Sequence, residues 1–399
     1  MKARILKTEA DYTAALAYVE GLMDAEADSP EEEELELFSL LVEQYERAHY
    51  PIAPPDPVDA ILFRMDQQGL ARKDLVPYIG SQSRVSEVLN RRRRLSLQMI
   101  RRLHAGLGIP AGTLLQEPGG QLEPLPFDPQ NFPLTALYKA GYFEGWEGSI
   151  RAVKEYGEEL LAPLLAVFAG AIPQAVYCRR TDTELDVHAL AAWQARVLNL
   201  VQEDELPDYA PDALDEAFFN RIVRASYFPE GLRLVKGILN ERGIHFALLP
   251  HLPKTYLDGA AFLSPGGRPV IGMTLRHDRL DNFWFTLAHE LAHIHLHLHD
   301  NDLAFFDDME HRPCDTDDPR ELEANAFAQE LFIPEAVWQA EGLPLLAFCE
   351  ERDLLALAEK LEISPAIVSG RIRWESGDYT RSTRLIGQGK VRELFPDFG

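Results

Sequence analysis

The spacing of the apolar residues changes twice along the chain. Up to about residue 225, and again over roughly the last sixty residues, they recur every three or four positions, which is typical of amphipathic helices. Between these parts, short apolar runs separated by Pro and Gly predict strands at Ile244 to Leu249, Gly259 to Leu263 and Val270 to Thr274. The pattern predicts an α+β fold that is mostly α, with one small sheet.

The helical part before residue 225 contains several segments. Short helices are predicted from Ile61 to about Leu115, and Trp193, Val197 and Leu200 have the spacing of a core face further along. Two amphipathic helices are predicted within the first fifty residues, with apolar faces formed by Ala14, Leu16, Val19 and Leu22 in one and Leu37, Leu40, Leu41 and Tyr45 in the other.

Prolines, glycines and changes in the spacing of apolar residues indicate the domain boundaries. A stretch rich in Pro and Gly predicts a linker, because it has neither helical nor strand spacing. The predicted parts are an N-terminal helical domain, this linker, a helical connecting segment, a mixed domain and a C-terminal helical unit: residues 1–117, 118–133, 134–225, 226–340 and 341–399. In the last unit, Leu354 to Arg373 has the spacing of a helix-turn-helix, but acidic neighbours favour a packing role.

Composition narrows the class of protein. The chain has 399 residues, 46% of them hydrophobic, which is enough for a full core. We find no apolar run long enough to span a membrane and no signal peptide, so we expect a cytoplasmic protein without membrane contact. Three widely spaced cysteines, Cys178, Cys314 and Cys349, predict neither disulfides nor a thiolate metal site, so His and carboxylates are the expected metal ligands.

The sequence His289-Glu290-Leu291-Ala292-His293 is the strongest chemical signal in the chain. It lies in an apolar stretch with helical spacing, Phe283 to Leu298, for which Asp278 or Asp281 is the predicted N-cap. Two histidines four residues apart project from one face of a helix and can hold one metal ion. Glu290 can act as general base toward the attacking water. The alternative is an ordinary helix with core or surface histidines.

A catalytic metal site needs a third protein ligand and one open position. Glu321 is the favoured candidate, in a helix predicted from Asp318 to Pro334, and Asn325 shares its face and can orient a metal ligand. Glu321 has an alternative role as the partner of Asp318 in a capping box. Glu323 is the nearest competitor as a ligand, and we predict that it faces solvent.

His299 is a second candidate for the third ligand. Its position after the motif gives the HExxHxxxxxH spacing, in which the chain turns sharply and the third histidine returns to the metal. A glycine would permit that turn, but Leu296 occupies its place. We therefore favour the carboxylate and interpret His295, His297 and His299 as a polar helix end.

Residues Arg224 to Pro334 resemble the ImmA/IrrE family of metallopeptidases. The resemblance rests on the HExxH motif and on Glu321-Leu322-Glu323-Ala324-Asn325-Ala326-Phe327-Ala328, although the long acidic loop between them departs from the family pattern. It implies a thermolysin-like (gluzincin) arrangement and a protein substrate, often a helix-turn-helix repressor cut in response to stress. With the motif chemistry, this predicts an endopeptidase with one catalytic Zn²⁺ on His289, His293 and Glu321.

Charge is distributed unevenly along the chain. The net charge of −25 would repel DNA if it were spread evenly, yet arginines cluster between residues 84 and 102. Two short helices are predicted beside the cluster, Leu70 to Val76 and Ser81 to Asn90, joined at Gly80 as in a helix-turn-helix. Pro77 predicts that the first is shortened or kinked.

The second of these helices is the predicted recognition helix. Its core face is Val85, Val88 and Leu89, together with Leu75 of the first helix. The residues predicted to read bases are Gln82, Ser83, Arg84 and Glu87, and those predicted to contact phosphates are Arg91, Arg92, Arg93 and Arg94. The alternatives are a solvated arginine face and a generic helical bundle.

Residues 1 to about 117 resemble the HigA type of antitoxin, on Lys7 to Tyr12, His49 to Ile52, Ser83 to Asn90 and Leu103-His104. The likeness implies a homodimeric autorepressor that binds operator DNA and, in a toxin-antitoxin pair, neutralises a partner toxin. The whole sequence predicts a DNA-binding transcription regulator joined to a zinc endopeptidase for a regulatory protein, in a stress or toxin-antitoxin circuit. The alternative is an antitoxin or autorepressor whose metal-binding domain senses rather than cleaves.

Overall fold

The chain forms two compact units, Met1–Pro124 and Leu125–Gly399, and each is described by itself. The computed structural model describes residues 4–26, 29–50, 55–116, 122, 125–168, 185–210, 212, 214–298, 304–307 and 318–395. Among these residues, no helix is long and apolar enough to cross a membrane. The finer division of residues 125–399 into three parts stays a prediction.

The N-terminal unit is helical. Several of its helices begin at a Ser or Thr whose hydroxyl accepts a hydrogen bond from a backbone N–H of the first turn, as Thr8, Ser29, Ser81 and Ser96 do. The helices are α1 (Glu9–Leu22), α2 (Pro30–His49), α3 (Pro57–Gln68), α4 (Val76–Ile79), α5 (Gln82–Leu89), α6 (Leu97–Leu107) and α7 (Ala111–Leu115).

Helices α1 and α2 pack together around a small core of their own, which consists of Leu6, Ala15, Phe38, Val42 and Tyr45. Much of the apolar face predicted from the sequence is wrong, because Leu16, Leu37 and Leu40 are exposed. Two helices that pack chiefly against each other bury only a narrow stripe, and the stripe on α2 is centred one residue away from the predicted one.

Helices α3 to α7 share a second core. Leu75, Val85, Val88 and Leu89 are all buried in it, as predicted. The first helix of the predicted helix-turn-helix is short, which was one of the two predicted outcomes, and Pro77 does not kink it. A 3₁₀ turn at Arg72–Leu75 leads into α4, and Pro77 lies in the first turn of α4, where a proline removes no helical hydrogen bond.

The second unit combines helices with one sheet. Its helices are α8 (Leu134–Lys139), α9 (Gly157–Leu165), α10 (Val187–Val201), α11 (Glu216–Tyr227), α12 (Leu232–Asn240), α13 (Leu280–Ala292), α14 (Pro319–Phe332), α15 (Glu335–Val337), α16 (Pro344–Ala347), α17 (Glu351–Leu361), α18 (Pro365–Ser376) and α19 (Lys390–Leu394). Its strands are β1 (His245–Leu249), β2 (Gly259–Leu263), β3 (Pro269–Thr274) and β4 (Ala304–Asp307), so three strands match the predicted runs and the fourth was missed.

The sheet has the strand order β1-β3-β2-β4, with β1 parallel to β3 and the other pairs antiparallel. Helices cover both of its faces. Alternate residues of each strand point to opposite faces, so Phe246 and Leu248 join the core with α11, α12 and α13, whereas Ala247 and Leu249 join the core with α10. Burial on both sides explains why these strands read as continuous apolar runs.

The helical connecting segment supplies the cover on one face. Trp193 and Val197 of α10 are fully buried, as predicted, whereas Leu200 is exposed. A Cβ added to Gly272 of β3 would lie 2.5 Å from the Trp193 ring, so this glycine lets α10 approach the sheet. On the other side, α17 and α18 bury Leu354, Leu357, Val368 and Ile372 against the core around α13, in agreement with the predicted packing role.

Candidate metal centre

Helix α13 carries the HExxH motif and continues into a π-helical turn, His293–His297. The predicted N-cap is wrong, because Arg279 occupies that position without a side-chain cap. Both acids have other partners. Asp281 binds the Arg279 guanidinium through both carboxylate oxygens, and Asp278 accepts hydrogen bonds from the Val391 and Arg392 backbone N–H groups at the start of α19.

Two helices bring the three predicted metal ligands together. His289 projects from α13, His293 from the start of the π-helical turn that continues it, and Glu321 from α14, and all three side chains are buried. The Nε2 atoms of the two histidines are 2.9 Å apart. The Glu321 carboxylate lies 3.3 Å from His289 Nε2 and 3.7 Å from His293 Nε2. The convergence predicted from the sequence is therefore present in the fold.

The separations of these donors match what one ion requires. Ligands around a tetrahedral ion with bonds of about 2.1 Å lie roughly 3.4 Å from each other. The observed separations of 2.9, 3.3 and 3.7 Å lie close to that value. Two imidazoles and one carboxylate also make the donor set of a catalytic metal with one open position. These three side chains could therefore hold one metal ion here.

Glu321 contacts the two histidines and does not cap the start of α14. Asp318 caps α14 by accepting from the Arg320 backbone N–H, and no capping box with Glu321 forms. Burial by itself would raise the pKa of the Glu321 carboxyl, but the neighbouring His289 and His293 hold that pKa well below its usual range. Glu321 is therefore a carboxylate, the form that binds a metal.

Asn325 fixes the orientation of His289. The Nδ1 atom of His289 lies 3.1 Å from the Asn325 side-chain oxygen. A carbonyl oxygen only accepts, so Nδ1 carries the proton and Nε2 presents its lone pair toward His293 and Glu321. The orienting role predicted for Asn325 requires this contact.

A second chain of contacts orients His293. The exposed carboxylate of Glu323 accepts from His297 Nε2 at 3.1 Å. His297 Nδ1 is then the acceptor for His293 Nδ1, also at 3.1 Å, so His293 Nε2 keeps its lone pair for a metal. His297 lies at the end of the π-helical turn, as interpreted, but it also contacts His293. Glu323 lies outside the donor cluster. His299, the other predicted candidate, falls outside the described residues.

The predicted general base lies on the sheet side of α13. Glu290 is fully buried. A Cβ added to Gly259, the first residue of β2, would lie 2.6 Å from Glu290 Oε1 and 2.6 Å from the Thr286 methyl carbon. Only a glycine leaves room for these side chains, so the packing of Glu290 depends on Gly259, a residue that the sequence analysis did not identify.

A comparison with family models agrees with this geometry. Residues 241–373 match the Peptidase_M78 model, described as an IrrE N-terminal-like domain. The match spans about a third of the chain and contains every residue of the metal centre. It supports a metal-dependent peptidase activity for this region. Neither the comparison with curated proteins nor the comparison with solved structures gives a significant match.

Substituting Gly259 with Ala is expected to lower the cleavage rate of the matched domain without lowering its metal content. The new methyl group must displace Glu290 or Thr286, and a misplacement of about 1 Å costs up to roughly a hundredfold in rate. The measurement is cleavage rate together with metal content. Gly266→Ala in the β2–β3 turn is the control, since Gly266 does not have a positive φ and its added Cβ would lie at an ordinary contact distance, 3.8 Å, from Ser264 Oγ. An unchanged rate in Gly259→Ala would oppose the placement of Glu290.

The residues predicted to contact DNA lie together in the N-terminal unit. Gln82 and Ser83 are exposed at the start of α5, and Arg84 lies beside Gly80, whose added Cβ would be 3.3 Å from the Arg84 guanidinium. Ion pairs already engage some of them: Arg91 with Asp56 and Asp59, and Arg93 with Glu87. The hydrogen bond from Arg93 lowers the pKa of Glu87. Arg92 and Arg94 are exposed.

Proposed function

We propose that the second unit is a zinc metallo-endopeptidase of the gluzincin type. The observation that carries the proposal is the convergence of His289, His293 and Glu321, whose donor atoms lie within 4.8 Å of one another. A buried glutamate directly after the first ligand and an amide that orients that ligand support it. When bound, zinc supplies Lewis acidity, which polarises the scissile carbonyl and lets water lose a proton near neutral pH.

The side chains around the metal centre have different roles in peptide-bond hydrolysis. Glu290 takes a proton from the attacking water at a carboxylate oxygen and then donates it to the departing amide nitrogen. Asn325 and the His297–Glu323 pair hold the proton on Nδ1 of His289 and His293, so both Nε2 atoms remain available. Burial of the donors excludes bulk water and strengthens every electrostatic contact in the site.

The substrate that we propose is another protein, such as a helix-turn-helix repressor, in a stress or toxin-antitoxin circuit. This substrate class follows from the ImmA/IrrE resemblance. A protein substrate, rather than a small peptide, also fits a chain that has a separate helical unit, Met1–Pro124, in addition to the peptidase part.

Metal analysis tests the zinc assignment directly. We expect about one equivalent of zinc per chain, loss of cleavage after dialysis against a chelator, and recovery when zinc is added back. Mg²⁺ is not expected to restore cleavage, since a site with two imidazoles suits zinc and not a hard cation. Recovery with Mg²⁺ alone, or cleavage that survives complete removal of metal, would contradict the assignment.

We propose a second function, binding of operator DNA, for the N-terminal unit. The supporting observation is the location of exposed Gln82, Ser83, Arg92 and Arg94 around α5, in a chain whose net charge is −25. The ion pairs of Arg91 and Arg93 are exposed enough to exchange for phosphates at small cost. A homodimer would place two such helices on a two-fold symmetric operator.

Arg84→Ala is expected to weaken binding to the DNA upstream of the chain's own gene by roughly five- to a hundredfold, because it removes a base contact. Arg92→Ala is expected to weaken binding to all sequences alike and to lower the salt dependence. A gel-shift assay measures both. Arg47→Ala is the control, since Arg47 is an exposed arginine of α2 in a pair with Glu43. Equal binding by all three variants would contradict the recognition-helix assignment.

The alternative that we retain is a HigA-type antitoxin or autorepressor whose metal centre senses and does not cleave. It shares the DNA-binding unit and differs in needing no general base. A partner toxin stays a prediction from the HigA resemblance. Co-purification with the product of a neighbouring gene tests for that toxin, and the Glu290 variant described below separates sensing from catalysis.

A further inference from the structure

A cavity of 290 Å³ lies between α13, α14 and α18. Most of its wall is apolar, and it includes the rings of Phe285, Phe332 and Trp374. None of the three metal donors lines it. Phe285 lines the cavity, and its ring lies 6.4 Å from the ring of His289, one helical turn along α13. The cavity is therefore a neighbour of the metal centre and distinct from it.

One cationic side chain in this wall, Arg373, has only part of its hydrogen-bonding capacity used. Arg373 has a side chain that is only 7% exposed. Its Nη2 donates to the Tyr379 carbonyl oxygen at 2.6 Å. Its Nε and Nη1 atoms are buried and have no hydrogen-bond acceptor within the part of the chain that the structure describes. Buried guanidinium N–H groups without an acceptor are uncommon and point to a missing partner.

The carboxylates near Arg373 are already engaged. Asp281 is the nearest, with Oδ2 at 4.0 Å from Arg373 Nη1, beyond hydrogen-bond distance. Both oxygens of Asp281 accept from Arg279, at 2.9 and 2.5 Å. Burial and the charge of Arg279 together lower the pKa of Arg373. The nearby carboxylates of Asp281 and Asp378 therefore offset these two effects only in part.

The other arginine of α18 that lines the cavity, Arg371, does have carboxylate partners within 3.5 Å. Arg371 pairs with Glu375 at 3.0 Å and with Glu335 at 3.4 Å. Its guanidinium also lies 4.6 Å from the centre of the Trp338 ring. Arg373 is thus the group in this wall to which an incoming anion would add the most.

We propose that this cavity binds a small organic acid, whose carboxylate pairs with the Arg373 guanidinium and whose apolar body packs against Phe285, Phe332 and Trp374. The volume suits a molecule with one ring or a short branched chain, and pockets with apolar walls and a few polar groups are typical ligand sites. The proposal does not depend on peptidase activity, because no residue of the metal centre takes part.

Titration calorimetry on the full chain tests the proposal with phenylacetate, benzoate and isovalerate as probes. We expect saturable binding of at least one acid and at least tenfold weaker binding of its neutral amide. Arg373→Gln is expected to weaken binding tenfold or more, and Arg352→Gln, at a 79% exposed arginine of α17, to leave it unchanged. Ile367→Trp keeps Arg373 but fills the cavity, so it is expected to abolish binding even if Arg373→Gln fails to fold.

A carboxylate can also bind a metal, so His289→Ala is the decisive control. Binding that persists in His289→Ala and disappears in Ile367→Trp would support the cavity. Binding that disappears in His289→Ala and persists in Arg373→Gln would assign the acids to the metal centre and overturn the proposal. Absence of saturable binding for all three acids would overturn it as well.

Discussion

Replacement of Glu290 with Gln is expected to reduce cleavage by about a hundred- to ten-thousandfold while the metal content stays at the wild-type level. Glutamine has the size of glutamate, so it fits the buried space beside Gly259 and Thr286. It cannot accept a proton from water, which removes the general base alone. The three metal donors are unchanged, so zinc measured by mass spectrometry should remain near one equivalent.

The assay does not require a known substrate. Cells that express the wild-type chain are expected to contain new protein N-termini that are missing from cells expressing Glu290→Gln, and peptide mass spectrometry detects them. Glu359→Gln is the matched control, because Glu359 is an exposed glutamate of α17. If the same new N-termini appear with Glu290→Gln, the chain is not the peptidase responsible, and the sensing alternative gains support.

The parts of this fold that the sequence predicted depend on local information. Strands β1, β2 and β3 were found because burial on both faces makes them apolar throughout. His289 and His293 were found because the distance of four residues defines a common helix face. Glu321 was found because a carboxylate and an amide recur one turn apart in the next helix.

The parts that were missed depend on which segments meet in space. Four histidines alternate from residue 293 to 299, and only the position of α14 makes His297 the one that bridges His293 and Glu323. Gly259 gains its importance from the approach of β2 to α13, far along the chain. Asp281 would be a good N-cap by itself, but its pairing with Arg279 takes precedence. The spacing of residues along the chain does not predict which of several possible partners a side chain contacts in the fold.

Glu321→Ala is expected to remove stoichiometric zinc, whereas Glu323→Ala is expected to retain it. Two residues along a helix correspond to a rotation of about 200°, so only one of the two carboxylates can face the histidines. Glu321 is 2% exposed and contacts both Nε2 atoms, whereas the side chain of Glu323 is 65% exposed and contacts His297. Without Glu321 the site has two protein donors, one fewer than catalytic zinc sites have.

Glu323→Ala does remove the group that orients His297, so its zinc affinity should fall, by about ten- to a hundredfold at most, as for other partners of metal ligands. Competition with a chelator of known affinity resolves this difference, since Glu321→Ala should lose its metal at far lower chelator concentration. His299→Ala tests the remaining candidate and is expected to match the wild type. Metal retained equally by Glu321→Ala and Glu323→Ala, with loss in His299→Ala, would show that the third ligand is the histidine.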